Sequence, residues 1–165
     1  MDEKLREAYR KIYEGEAKAA LRLKLFAKQA DKEDLPQIAK LFRVIAFSEE
    51  IHGERALRML REIKDTEQNL KDSFDSEFAV AGVAYDQFLK IAAEVRDTAS
   101  SLIFSHSRDV EDIHASLYKK AMSHLLEEKD TTYYVCRVCG YVADNSLPDV
   151  CPVCSAPKEQ FVQFE

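Results

Sequence analysis

Glycine and proline are almost missing from the first 130 residues of this 165-residue chain: only Gly15, Pro36, Gly53 and Gly82 occur there. A stretch so poor in turn formers, rich in Ala, Leu, Lys and Glu and with apolar residues at helical spacing, is confined to long helices. The breaks fall at Asp31–Asp34 before Pro36, at Asp65–Thr66 and at Asp97–Thr98, and each offers Asp or Thr as an N-cap for the helix that follows. The pattern predicts four helices of roughly 25 to 30 residues, the length of a four-helix bundle.

The apolar seams of those helices are interrupted by acids and imidazoles. The first seam runs Ile12, Ala19, Leu23, Phe26 and Ala30, with Glu16 filling the gap. The second runs Ile38, Phe42 and Ile45, then Glu49 and His52, then Ala56, Met59 and Ile63. The third carries Glu77 between Phe74 and Ala81, and continues through Ala84, Phe88, Ile91 and Val95. The fourth carries Glu111 and His114 between Ser107 and Tyr118, and runs on to Ala121 and Leu125. Glu50 and Asp112 stand two residues before the histidines and so face away, whereas Glu49 and Glu111 share the histidine face.

Taken singly, each of these six residues reads as a surface acid or a hydrogen-bonded core histidine. Taken together they do not, because burying unpaired carboxylates costs several kcal/mol each and the seams carry no Lys or Arg to compensate. Two divalent ions balance four carboxylates beside two neutral imidazoles, and that donor set suits iron or manganese. A Glu on each of two helices and Glu-x-x-His on the other two is the pattern of ferritin-like di-iron proteins. The Glu…Glu-x-x-His order occurs twice, in residues 16–52 and 77–114, which suggests two related hairpins.

From Thr132 the texture changes to β-formers, turn residues and three of the four prolines. We expect residues 1–130 to form the bundle and residues 131–165 a separate small module, with 127–131 as the hinge. A module of that size needs a staple. All four cysteines lie here, as Cys136-x-x-Cys139 and Cys151-x-x-Cys154, a strong metal-knuckle signature in which two short loops arrange four thiolates tetrahedrally. Spacing accommodates structural zinc as well as iron; a redox-capable neighbour favours iron, because one iron on a surface module makes a one-electron relay.

The net charge of −6 is spread along the chain, which disfavours nucleic acid and anionic membranes as partners. No apolar run reaches the length of a membrane span, and the start MDEKLREAYRK lacks the apolar stretch of a signal peptide. With paired thiols that read as metal ligands, the expected compartment is a reducing cytoplasm.

Together these parts resemble rubrerythrins, in which a ferritin-like di-iron bundle is followed by a rubredoxin-like domain. The resemblance rests on GEAKA from Gly15, SEEIH from Ser48, the run TEQNLKDSFDSE ending at Glu77, VEDIHASLY from Val110, and VCRVCGYV…CPVCSAPKEQF, and covers nearly the whole chain. It implies a peroxidase that reduces hydrogen peroxide to water, fed by an electron-donating reductase or rubredoxin through an iron on Cys136, Cys139, Cys151 and Cys154. It also implies a role for Tyr85 beside the bundle site; Tyr118 reads as core packing. Three departures from the family pattern follow. Val80 stands where a further carboxylate is usual, which predicts that His52 stays a ligand in both redox states and makes oxygen- or iron-handling chemistry a competing activity. Leu23 replaces a usual tyrosine. Ser155 replaces the glycine after the last cysteine, where a left-handed backbone is mildly strained for any other residue. A non-enzymatic zinc-ribbon scaffold is the alternative from another class.

Chain length also predicts an assembly. A ferritin-like bundle runs its second and third helices parallel, yet only 24 residues separate His52 from Glu77. Helix to the bundle end, an extended return and helix back would need about 30 or more. The expectation is a domain-swapped homodimer in which Glu16, Glu49 and His52 of one chain meet Glu77, Glu111 and His114 of the other.

Overall fold

The computed structural model describes residues 1–123 and 131–164. The expected seam residue Leu125 and the hinge positions 127–130 lie outside the described residues. The chain divides into two compact units, Met1–Lys64 and the remainder from Asp65.

The first unit is a helical hairpin of α1 (Glu3–Lys32) and α2 (Pro36–Leu60). Asp2 caps α1 by accepting from the Lys4 N–H at 2.9 Å. The cap expected from the Asp31–Asp34 break is not used. Leu35 is the N-cap of α2 without a side-chain bond, and Pro36 occupies the first helical position, where a missing N–H costs nothing. Small residues close the hairpin. Ala20 and Ala27 of α1, and Ala39, Ala46 and Gly53 of α2, recur every seven residues and are buried. The helices approach closely enough that a Cβ on Gly53 would sit 3.8 Å from the Glu16 Cβ. The buried face coincides with the predicted seam only in part: Ala30 and Ala56 are buried, whereas Ile12, Phe26, Ile38, Ile45 and Met59 are exposed. Sequence periodicity finds the broad apolar face of a helix, but here the hairpin contact uses its small-residue edge.

The second unit begins with α3 (Thr66–Ala79), capped by Asp65, which accepts from the Gln68 N–H at 2.9 Å. The predicted unbroken third helix is interrupted by a π turn, Val80–Ala84, before α4 (Tyr85–Glu94). A π turn inserts one residue, so the face rotates. Past it, Leu89 and Ala92 are the covered positions, while the predicted Phe88, Ile91 and Val95 are exposed. Helix α5 (Thr98–Ser123) packs against α3 and α4. Asp97 precedes it and accepts from the Ser100 N–H at 3.1 Å, and the Phe88 and Phe104 rings lie 5.6 Å apart.

The tail forms a three-stranded antiparallel sheet in the order β2-β1-β3, with β1 Tyr133–Cys136, β2 Val142–Asp144 and β3 Phe161–Phe164. Tyr134 pairs with Ala143 on one side and with Gln163 on the other. Its small core gathers Cys136, Cys151 and Ala156, flanked by Tyr141 and Phe161 at 6.2 Å between rings.

Candidate metal centres

The four cysteines converge as their spacing predicts. Two matching knuckles hold them. The Gly140 N–H donates to the Cys136 carbonyl and the Ser155 N–H to the Cys151 carbonyl, both at 2.9 Å. The Cys136 N–H donates to the Tyr141 carbonyl and the Cys151 N–H to the Ala156 carbonyl, both at 2.8 Å. Each knuckle turns through a left-handed residue, Gly140 at φ 85° and Ser155 at φ 59°, so the strain expected at Ser155 is present. Sulfur separations of 3.7 Å for Cys136–Cys154 and 3.6 Å for Cys139–Cys151 match the edges of a tetrahedron with bonds of about 2.3 Å. Burial opposes ionisation of Cys136, but the backbone N–H groups of Cys139 and Val138 point at its sulfur and hold the thiol below its ordinary value. Burial pushes the Cys139 and Cys154 thiols up, against the N–H groups of Tyr141 and Ala156. These inward-directed N–H groups favour a thiolate cluster around a cation.

The six acids and imidazoles of the helices form two groups of three. Glu16, Glu49 and His52 lie together in the first unit, and Glu77, Glu111 and His114 in the second, with donor atoms in each group within 4.8 Å of one another. Helical spacing does this. A Glu three residues before a His puts Oε2 against Nδ1, at 3.0 Å for Glu49–His52 and 3.1 Å for Glu111–His114. The face assignment made from spacing holds for Glu50, which turns away to pair with Lys24.

The two triads are electrostatically alike. The Glu16 carboxyl is raised above its ordinary value by its hydrogen bond with Glu49 and by burial. Glu77 is pushed up to about 7, first by burial and then by the hydrogen bond and charge of Glu111. Paired carboxylates that hold a proton between them in this way are a donor set that a divalent cation completes. The donor groups fit a di-iron centre in the helical region and one Cys-bound iron in the tail. Of the two tyrosines named from sequence, Tyr85 is half-buried, directly after the π turn and edge-on to Phe88 with centroids 5.7 Å apart. Tyr118 is half-buried on α5.

One contact escaped the sequence reading. The His114 Nε2 lies 3.3 Å from the carbonyl oxygen of Gly140, the residue after Cys139. As the carbonyl only accepts, a proton on Nε2 satisfies this contact, while Nδ1 faces the Glu111 carboxyl at 3.1 Å. Lys120 pairs with Asp144 beside it, and Val110 of α5 faces Gly140. A backbone acceptor has no sequence signature; Gly140 itself was the available signal.

Among known families, the rubrerythrin model matches residues 5–122, and that of the rubrerythrin rubredoxin-like domain matches residues 134–162. Rubrerythrin-2 of Clostridium acetobutylicum is 27% identical over 94% of each chain. Nigerythrin of Nitratidesulfovibrio vulgaris is 25% identical over 91% of this chain and 81% of its own. A solved structure of nigerythrin in its fully reduced, all-ferrous state superposes with a TM-score of 0.60 at 24% identity, covering 97% of this chain and 86% of that one, and so shares the fold. Two family matches in the right order, laid over two helical triads and a thiolate knuckle, establish that this chain belongs to the rubrerythrin family.

Proposed function

We propose that the chain is a non-haem di-iron peroxidase that reduces hydrogen peroxide to water, and that the Cys-bound iron supplies its electrons. The observation that carries this reading is the hydrogen bond from His114 to Gly140. It ties a residue of the second triad, through one backbone carbonyl, to the loop that carries Cys139. Glu16, Glu49, His52, Glu77, Glu111 and His114 are the proposed ligands of the iron pair, and Cys136, Cys139, Cys151 and Cys154 those of the single iron. The iron pair would supply two electrons, the number needed to turn one peroxide and two protons into two waters.

The residues divide that work. The four carboxylates would offset the charge of the cations, whose binding would displace the protons that Glu16–Glu49 and Glu77–Glu111 share. His114, with its Nε2 proton committed to Gly140, presents Nδ1 to the cation in a fixed orientation. Tyr85 is proposed as a hydroxyl donor close to the reacting oxygen atoms. Val80, at the start of the π turn, brings a hydrocarbon side chain where a further carboxylate is usual. That substitution favours a second reading, in which oxygen and ferrous iron are the substrates and no external donor is needed.

Steady-state kinetics of the iron-loaded protein separates the two. With a reductase and rubredoxin as donor, peroxide consumption should exceed oxygen consumption by at least about tenfold in kcat/KM, and His114→Ala should abolish it. Faster use of oxygen, or turnover of ferrous iron without the donor, would establish the second reading instead. A Val80→Glu variant shows whether the missing carboxylate sets that preference.

A further inference from the structure

We propose that Tyr13 is a one-electron donor to the helical site, supplying the second electron when peroxide meets an iron pair that is only half reduced. This rests on the ligand assignment and the peroxide reading given above.

A one-electron relay that feeds a two-electron reaction leaves the pair half reduced between deliveries. The four cysteines form one site for a single iron, which passes one electron at a time, whereas one peroxide takes two. Peroxide that takes one electron alone breaks into hydroxide and a hydroxyl radical, which attacks whatever side chain it meets. A phenol beside the site prevents this. Peroxide takes one electron from the half-reduced pair and one from Tyr13; its O–O bond breaks, and with two protons it leaves as two waters. Tyr13 loses its hydroxyl proton to water together with the electron, so the reaction consumes one proton net and leaves a tyrosyl radical. An electron from the Cys-bound iron and a proton from water then restore the phenol.

Two observations select this residue. First, Tyr13 precedes Glu16 by one turn of α1, and both side chains meet α2 at the same place. A Cβ on Gly53, the neighbour of His52, would lie 3.8 Å from the Glu16 Cβ and 4.0 Å from the Tyr13 ring. The phenol is therefore packed beside the first triad, within the compact unit that holds it. Second, Tyr13 is half-buried and lines, together with Glu49, an open cavity of about 430 Å³. The ring is thus held against the protein while its proton has a way out to water. Tyr9, the other phenol of α1, stands one further turn from Glu16, on the cavity that Glu16 and His52 line.

Freeze-quench electron paramagnetic resonance tests this on the full chain, with iron in the helical site and zinc on the cysteines so that no electron comes from there. One reducing equivalent per pair gives the half-reduced state, whose own signal measures the starting amount. After one equivalent of peroxide that signal should vanish, and a radical should appear that narrows when the protein carries ring-deuterated tyrosine. Normalised to the starting signal, Tyr13→Phe should give no tyrosyl radical, whereas Tyr9→Phe should give as much as the wild type. A tyrosyl radical that survives in Tyr13→Phe, or a half-reduced wild type that is oxidised without forming one, would overturn the proposal. The fully reduced protein separates the two levels of the account. If peroxide does not oxidise it, the peroxide reading fails and this proposal with it; if peroxide does, a missing radical counts against Tyr13 alone. Met59, on the cavity lined by Glu16 and His52, gives a second readout. With electron donor limiting, Tyr13→Phe should accumulate several-fold more Met59 sulfoxide than the wild type at equal peroxide exposure, as seen by peptide mass spectrometry. Equal amounts would contradict the protective role.

Discussion

Glu77 reports most directly on the electrostatics of the helical site. Its carboxyl, held at about 7 by burial and by Glu111, binds its proton more tightly in the folded chain than in the unfolded one, where the ordinary value is 4.5. Such a group stabilises the fold below the unfolded value and loses that contribution as pH rises through the folded one. The metal-free protein should therefore lose thermal stability between about pH 5 and about pH 7.5, the window those two values bracket. The iron-loaded protein should show the opposite slope, because protons then compete with the cation. Melting curves of both forms across that range decide it; parallel slopes would remove the proton-sharing account. Ser155 gives a second test. Its left-handed backbone costs a non-glycine residue about 1 kcal/mol, so Ser155→Gly should stabilise the Cys-bound module by that amount against guanidinium, followed by the thiolate-to-iron absorbance. Unchanged or lower resistance would mean that the serine side chain compensates.

At the scale of elements, the helices were legible because their caps and composition are local. Asp65 and Asp97 sit where the breaks in the pattern put them, and Asp65→Ala should cost about 1 kcal/mol of unfolding free energy in denaturant titrations. The four cysteines and the two Glu-x-x-His triads were legible because ligand spacing follows from i,i+3 geometry and tight loops. What sequence did not show depends on packing between elements. The π turn at Val80–Ala84 has no marker beyond a run of small residues with Gly82, and it moves the covered face from Phe88 and Ile91 to Leu89 and Ala92. The alanine edge that closes α1 on α2 was hidden behind the stronger signal of the large aliphatic seam. Deleting Gly82 restores α-helical register and rotates α4 by one residue. That should expose the half-buried Leu89 and destabilise the protein by about 1 kcal/mol, part of the worth of a fully buried aliphatic side chain, as seen by urea unfolding. A neutral deletion would show that the π turn does not set the packing.

At the scale of the molecule, the tail module rests on α5 through His114 and Gly140, Val110 and the Lys120–Asp144 pair. Among the described residues no helix is long and apolar enough to cross a membrane. Lys120→Glu sets two acids against each other at that contact. It should slow electron delivery from the Cys-bound iron several-fold while leaving metal content unchanged, an effect that rapid-mixing absorbance resolves. The central claim is that both iron sites act in one peroxide reduction. Anaerobic mixing of the fully reduced protein with one equivalent of peroxide, followed by Mössbauer spectroscopy at successive freezing times, tests it most directly. The iron pair should oxidise first, and the Cys-bound iron should follow as it returns its one electron to the pair. A Cys-bound iron that stays ferrous throughout, or a pair that ignores peroxide, would contradict it.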